Sequence, residues 1–217
     1  MILSLIDHTA TISADELTRV AGALTKQLWR DVCPAYGLAP VTVVAGPAQG
    51  AYELGLFLHS DQAGDLGYHS LTPANVPYSS VFLADCQADG DPWTACASHE
   101  AAEIAADPDC ATLKLGGDGK VRCFEIADPC EDLAYQIDGV TLSDVVDPAW
   151  FLALGTQRTI GSGAQLAAGA RTPGGYVQLW TPSGMVNDAD RARKHRLHAS
   201  SRAARRIAAH AAMTRAA

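Results

Sequence analysis

Ser98-His99-Glu100-Ala101-Ala102-Glu103 holds the residues of this chain best suited to chemistry. On a helix, His99 and Glu103 stand at i and i+4, so both side chains leave one face about one turn apart. That spacing lets an imidazole and a carboxylate hold one metal ion. Glu100 lies beside them, placed to take a proton from a water at the metal's open position. A catalytic zinc takes three protein ligands and keeps a fourth position for water. One more ligand must therefore come from elsewhere in the chain.

Three acids compete for that place. Lys120 to Ala127 alternates as a strand returning from a hairpin tip at Gly116-Gly117-Asp118-Gly119. Alternation puts Cys123 and Glu125 on one face and Phe124 and Ile126 on the other. Glu125 is thus well placed, and Asp128, just beyond the strand, is its close competitor. Asp107 is eight residues past His99, about 12 Å along a straight helix. It serves only if the helix unwinds early. A carboxylate at a helix C-terminus is disfavoured by the dipole, so Asp107 should have a partner or a job.

Glu103 sets the electrostatics. One His and two carboxylates bring a zinc site close to neutral, which weakens its Lewis acidity. An oxygen-rich set also admits Ca²⁺ or Mn²⁺ beside Zn²⁺. Metal binding therefore follows from these residues more directly than hydrolysis does.

The motif needs a scaffold. Met1 to Asp7 reads as a buried strand. Ser13 precedes Asp15 and Glu16, acids favoured in a first helical turn. Leu17, Val20, Leu24 and Leu28 then repeat at helical spacing through Trp29 and Val32, with a stop expected before Pro34. Val41 to Val44, Tyr52 to His59 and Tyr78 to Ala84 read as strands. Ala88-Asp89-Gly90-Asp91-Pro92 reads as a turn, and the motif helix follows from Trp93 to Ala106. Tyr135 to Leu142 is a hairpin about Asp138-Gly139. Asp147 to Trp180 is Gly-rich and carries few signals, apart from a last strand at Tyr176 to Trp180.

This order resembles the zincin metallopeptidases, in which a mixed sheet and a backing helix precede an H-E-x-x-H helix. The resemblance implies an α+β zincin-like domain over residues 1–188. It makes Tyr78 to Ala84 the candidate substrate edge, binding a peptide by strand addition. Glu125 resembles the downstream third Glu of gluzincin-type members. The fuller pattern Ser98-His99-Glu100-Ala101-Ala102-Glu103-Ile104-Ala105-Ala106-Asp107-Pro108, followed by Glu125-Ile126-Ala127-Asp128, is similar to zincin-like proteins of bacteria and bacteriophages. Plant phosphate-induced secreted proteins share part of it. The similarity spans Gly67 to Phe151 and takes in Asp147-Pro148-Ala149-Trp150-Phe151. It implies a fold and a metal site more than a substrate; a peptide or protein substrate is what the resemblance to the zincin metallopeptidases implies. The alternative is a non-catalytic structural or interaction protein, such as a phage or prophage virion component.

Charge divides the chain. Its 217 residues carry a net charge of −8. Eight of the 16 Lys and Arg lie from Arg191 onward, without one Asp or Glu. The first 190 residues are therefore strongly acidic, which suits a body that holds cations and not a general nucleic-acid binder. Residues 189–217 read as a basic helical or flexible tail for an acidic partner, nucleic acid or a neighbouring assembly subunit.

The remaining signals are mostly exclusions. The six cysteines form no C-x-x-C pair, which argues against a zinc finger and for buried thiols. Cys110, Cys123 and Cys130 flank the site, where a local disulfide is conceivable outside the cell. His59 and His69 lie near strands and read as core or surface histidines. Tyr68 and Tyr176 read as packing aromatics, with oxyanion stabilisation as their other role. No apolar run reaches the ~18 residues of a membrane span. Met1 to Asp7 lacks the features of a secretory signal, so cytoplasmic synthesis is expected, with virion association under the alternative reading.

Overall fold

In the computed structural model, which describes residues 1–62 and 64–188, the chain begins with strand β1 (Ile2–Asp7). Helix α1 (Ala14–Gln27) starts where Ser13 Oγ accepts from the Glu16 N–H, satisfying a donor that the first turn would leave open. Lys26 in the last turn suits the negative end of the helix dipole. The helical path does not stop before Pro34. It loosens into a π turn (Leu28–Val32) and tightens again into α2 (Cys33–Tyr36). Pro34 sits in the first turn of α2, where a missing N–H costs little. Gly37, at φ 65°, ends the run.

Strands β2 (Thr42–Ala45), β3 (Tyr52–Phe57), β4 (Gly67–Leu71) and β5 (Pro77–Phe82) complete a five-stranded sheet. Its order is β2-β1-β3-β5-β4, with β4 antiparallel and the other pairings parallel. Leu3, Leu5, Leu54, Leu56 and Val81 from the sheet meet Val20, Leu24 and Leu28 in one core, all fully buried. Each such side chain contributes about 1.5–3 kcal/mol of burial. The sheet order overturns one expectation. The strand within Tyr78 to Ala84 is β5, which lies inside the sheet. The edge belongs to β4, hairpinned to β5 through a turn in which Thr72 N donates to Val76 O.

After β5 come α3 (Leu83–Asp89) and α4 (Trp93–Ala106). Helix α4 is buried over nearly its whole circumference, so it is an interior helix. Its alanines make this feasible: Ala97, Ala101, Ala102 and Ala105 let neighbouring elements approach closely. It packs on β4, β5 and a hairpin formed by β8 (Ala134–Ile137) and β9 (Val140–Ser143). Before this hairpin come β6 (Leu113–Leu115) and β7 (Val121–Cys123). Ser98 Oγ accepts from Ser143 N, and Thr94 Oγ1 donates to Thr141 O, which ties α4 to β9. Asp138 and Gly139, both at positive φ, form the tight turn expected between β8 and β9.

The rest of the chain forms short strands. They are β10 (Thr156–Arg158), β11 (Gln165–Ala167), β12 (Val177–Thr181) and β13 (Gly184–Asp188). Strands β10 and β11 pair alone, while β13-β12-β7-β6 is an antiparallel sheet. The strand expected from Lys120 to Ala127 is shorter. It ends at Cys123, and Phe124 to Ala127 turn inward, where Ile126 O accepts from Val146 N. The result is a mixed α+β fold. No helix among the described residues is long and apolar enough to cross a membrane. The basic segment expected over residues 189–217 lies outside the described residues.

Candidate metal centre

Burial is the first signal of chemistry on α4. His99, Glu100 and Glu103 are 8%, 4% and 0% exposed. Isolated carboxylates do not stay buried without compensation. The compensation comes from two other segments. Asp128 opens a 3-10 turn (Asp128–Cys130) and is fully buried. The turn is pinned by Tyr176 N donating to Asp128 O and Thr172 N donating to Pro129 O. Gly175 makes that contact feasible, because a Cβ there would come 2.3 Å from Pro129 O.

The first cluster joins His99, Glu103 and Asp128. His99 Nε2 lies 3.1 Å from Asp128 Oδ1 and 3.4 Å from Glu103 Oε1. Donors on a tetrahedral zinc with bonds of about 2.0–2.1 Å are about 3.4 Å apart. The two His99 separations match that spacing, and the three ligand atoms lie within 4.8 Å of one another. Ala127 N donates to Glu103 Oε1 at 3.3 Å, which fixes the carboxylate from behind. Asp128 Oδ2 is buried and makes no hydrogen bond, as a ligand oxygen awaiting a cation would.

The second cluster joins His69, Glu103 and Glu125. His69 stands on edge strand β4 and is fully buried, with neither ring nitrogen in a hydrogen bond. Its Nδ1 lies 3.3 Å from Glu103 Oε2 and 3.4 Å from Glu100 Oε2, and its Nε2 lies 3.7 Å from Glu125 Oε2. Glu103 Oε2 and Glu100 Oε2 are likewise buried and without hydrogen bonds.

The three competing acids therefore divide. Asp128 accompanies His99 and Glu103, whereas Glu125 joins a group centred on His69, reached from the segment after β7. Asp107 belongs to neither. Its carboxylate accepts from Ala111 N, Thr112 N and Thr112 Oγ1, closing the turn after α4. His69, expected as a core or surface histidine, is a core one, and its ring stands among the carboxylates of the second cluster. The Pro73-Ala74-Asn75 turn between two short strands could have revealed it, because a hairpin there aligns β4 with the motif helix. Tyr68, its neighbour, packs against Tyr78 and Phe82 and donates to Asp61. None of the six cysteines forms a disulfide. Cys86 Sγ lies 3.2 Å from Cys96 Sγ.

Electrostatics agree with a cation site. Burial disfavours charge on His99, but Glu103 and the hydrogen bond to Asp128 overcome it and hold its pKa well above 6.5. His69 is raised too, against its burial, chiefly by Glu125. Burial, then Glu103, pushes Asp128 well above the usual carboxylate range. Glu103 falls well below 4.5, because His99 outweighs its burial. With no ion, protons on imidazoles carry the positive charge that the acids demand.

Comparison of the chain with protein-family models, with curated proteins and with solved structures found no match.

Proposed function

We propose that this chain is a metal-dependent hydrolase of zincin-like architecture, acting on a peptide or protein. The observation that carries the reading is the convergence of the buried side chains of His99, Glu103 and Asp128, with His99 Nε2 close to Glu103 Oε1 and Asp128 Oδ1. Those three residues would hold zinc, with Mn²⁺ or Ca²⁺ admitted by the oxygen donors. A zinc ion supplies Lewis acidity, polarising a carbonyl and acidifying water. Glu100 accepts the proton from the attacking water at a carboxylate oxygen and returns it to the leaving amine. His99, the most exposed member, marks the side from which substrate approaches. Edge strand β4 is the place for a substrate main chain to add to the sheet.

The test is metal analysis of the purified protein alongside cleavage of an unfolded protein substrate. Glu100→Gln should abolish cleavage and leave the metal content unchanged. Wild-type protein with neither bound metal nor cleavage would sink the proposal.

One contact favours a second reading. Glu100 Oε2 lies 3.4 Å from His69 Nδ1, and a protonated His69 there would occupy the base. The chain then binds metal without catalysis and serves assembly, as a phage or prophage particle component would. Residues 191–217 would dock a neighbouring subunit, an acidic partner or nucleic acid. Deleting them should abolish assembly while metal binding persists; intact assembly in the deletion variant counts against this reading.

A further inference from the structure

Glu103 is a member of both clusters, and it turns a different oxygen to each. Oε1 faces His99 at 3.4 Å, and Oε2 faces His69 at 3.3 Å. The two histidines fall in separate groups, and Glu103 is the one residue common to both groups. A carboxylate that offers one oxygen to each side is the usual bridge between paired metal ions in two-metal hydrolases.

Charge points the same way. Glu100, Glu103, Glu125 and Asp128 bring four formal negative charges into a region at most 4% exposed. One divalent ion among neutral imidazoles leaves two of them uncompensated, whereas two ions balance all four. His69 supplies an independent sign. It is fully buried, and both ring nitrogens face carboxylates without a hydrogen bond.

We infer that the chain holds two divalent transition-metal ions bridged by Glu103, an outer ion on His99 and Asp128 and an inner ion on His69 and Glu125. This rests on the reading of the cluster as a metal centre and adds a second cation to it. The outer position borders solvent through His99. The inner position, with His69 and Glu103 fully buried, exchanges more slowly. Imidazole with carboxylates suits zinc or manganese. The inner ion orders β4 against α4, and the outer ion is the one that substrate can reach.

The test strips full-length protein with a chelator, reloads it with zinc alone and counts bound equivalents by elemental analysis. Wild type should saturate at two. His69→Ala and His99→Ala should each retain one. A chelator pulse should release the wild-type equivalents in two phases, at least tenfold apart in rate. Saturation at one equivalent overturns the second cation but leaves the metal centre standing; no bound zinc overturns both. Loss of all zinc in either His variant also overturns the inference, because both imidazoles would then serve a single ion. Manganese-loaded wild type avoids any folding defect of the variants. Its electron paramagnetic resonance should show a spin-coupled pair, and two uncoupled ions would exclude the shared carboxylate.

Discussion

His69 Nδ1 lies 3.3 Å from Glu103 Oε2, joining the edge strand β4 to the interior helix α4 through two fully buried polar side chains. The five-stranded sheet is what permits this. Strand β5 reaches the sheet beside β3, and β4 turns back antiparallel along it. That turn brings His69 over the same helix that carries His99 and Glu103. The neighbouring turn at Asp128 then closes the group from the opposite end of the sequence motif.

Glu103→Gln is the sharpest single test of this arrangement. The amide keeps the size of the side chain and removes the charge seen by both histidines. Zinc affinity should fall by more than the ~10–100-fold typical of losing an outer-shell partner. Far-ultraviolet circular dichroism should remain that of wild type. Unchanged zinc affinity, measured by competition with a chromophoric chelator, would remove Glu103 from the site.

Gly67→Ala probes how Glu100 is seated. A Cβ at Gly67 would lie 3.1 Å from Glu100 Oε1 and 3.1 Å from the Ser80 carbonyl oxygen. The carbonyl belongs to the sheet, so the Glu100 side chain has to give way. Stability should fall by about 1–3 kcal/mol, the usual cost of overpacking. Any hydrolytic rate should fall with it, while zinc bound at His99 stays. A variant as stable and active as wild type would show that Glu100 has room to spare.

Asp107→Ala separates a structural acid from the ligands. Three donors from Ala111 and Thr112 would lose their acceptor at the end of α4. Unfolding in urea should report a loss of about 1–3 kcal/mol. Zinc stoichiometry should not change. Loss of metal at unchanged stability would return Asp107 to the ligand set.

Local pattern made some of this legible in the sequence. The i, i+4 spacing of His99 and Glu103 placed them on one helical face, and α4 spans Trp93–Ala106 as the pattern predicts. Asp138-Gly139 gave its hairpin for the same local reason. What stayed hidden depends on tertiary order. Strand β4 is short, polar and buried at Tyr68, His69 and Ser70, so no alternation marks it. Its neighbour β5 was expected at the edge from the zincin resemblance, and β4 takes that place instead. Glu125 and Asp128 were both recognisable as acids near the motif. Their division between two histidines follows from the chain leaving β7 at Cys123, which no periodicity records.

A metal ion at this site would compete with protons for the same side chains, which would set opposite pH dependences for stripped and loaded protein. In the stripped protein, Glu100, Glu103 and Asp128 act on His99, and Glu125, Cys110, Glu100 and Glu103 act on His69. Both histidines are held well above 6.5 despite their burial. A raised folded pKa means that the folded state binds the proton more tightly than the unfolded chain. The resulting stability is complete below about 6.5 and is lost as pH rises through the folded value. Asp128, also raised, acts in the same direction from its ordinary 3.8 upward. Glu103, lowered below 4.5, contributes above that value and fails only in acid. The melting temperature of stripped protein should therefore fall from about pH 6 to about pH 8. Zinc needs unprotonated ligands, so its stabilisation grows over the same range, about tenfold in affinity per pH unit for each proton displaced. Melting curves with and without zinc should diverge as pH rises. A gap that stays constant or narrows would mean that the ion does not bind at these histidines.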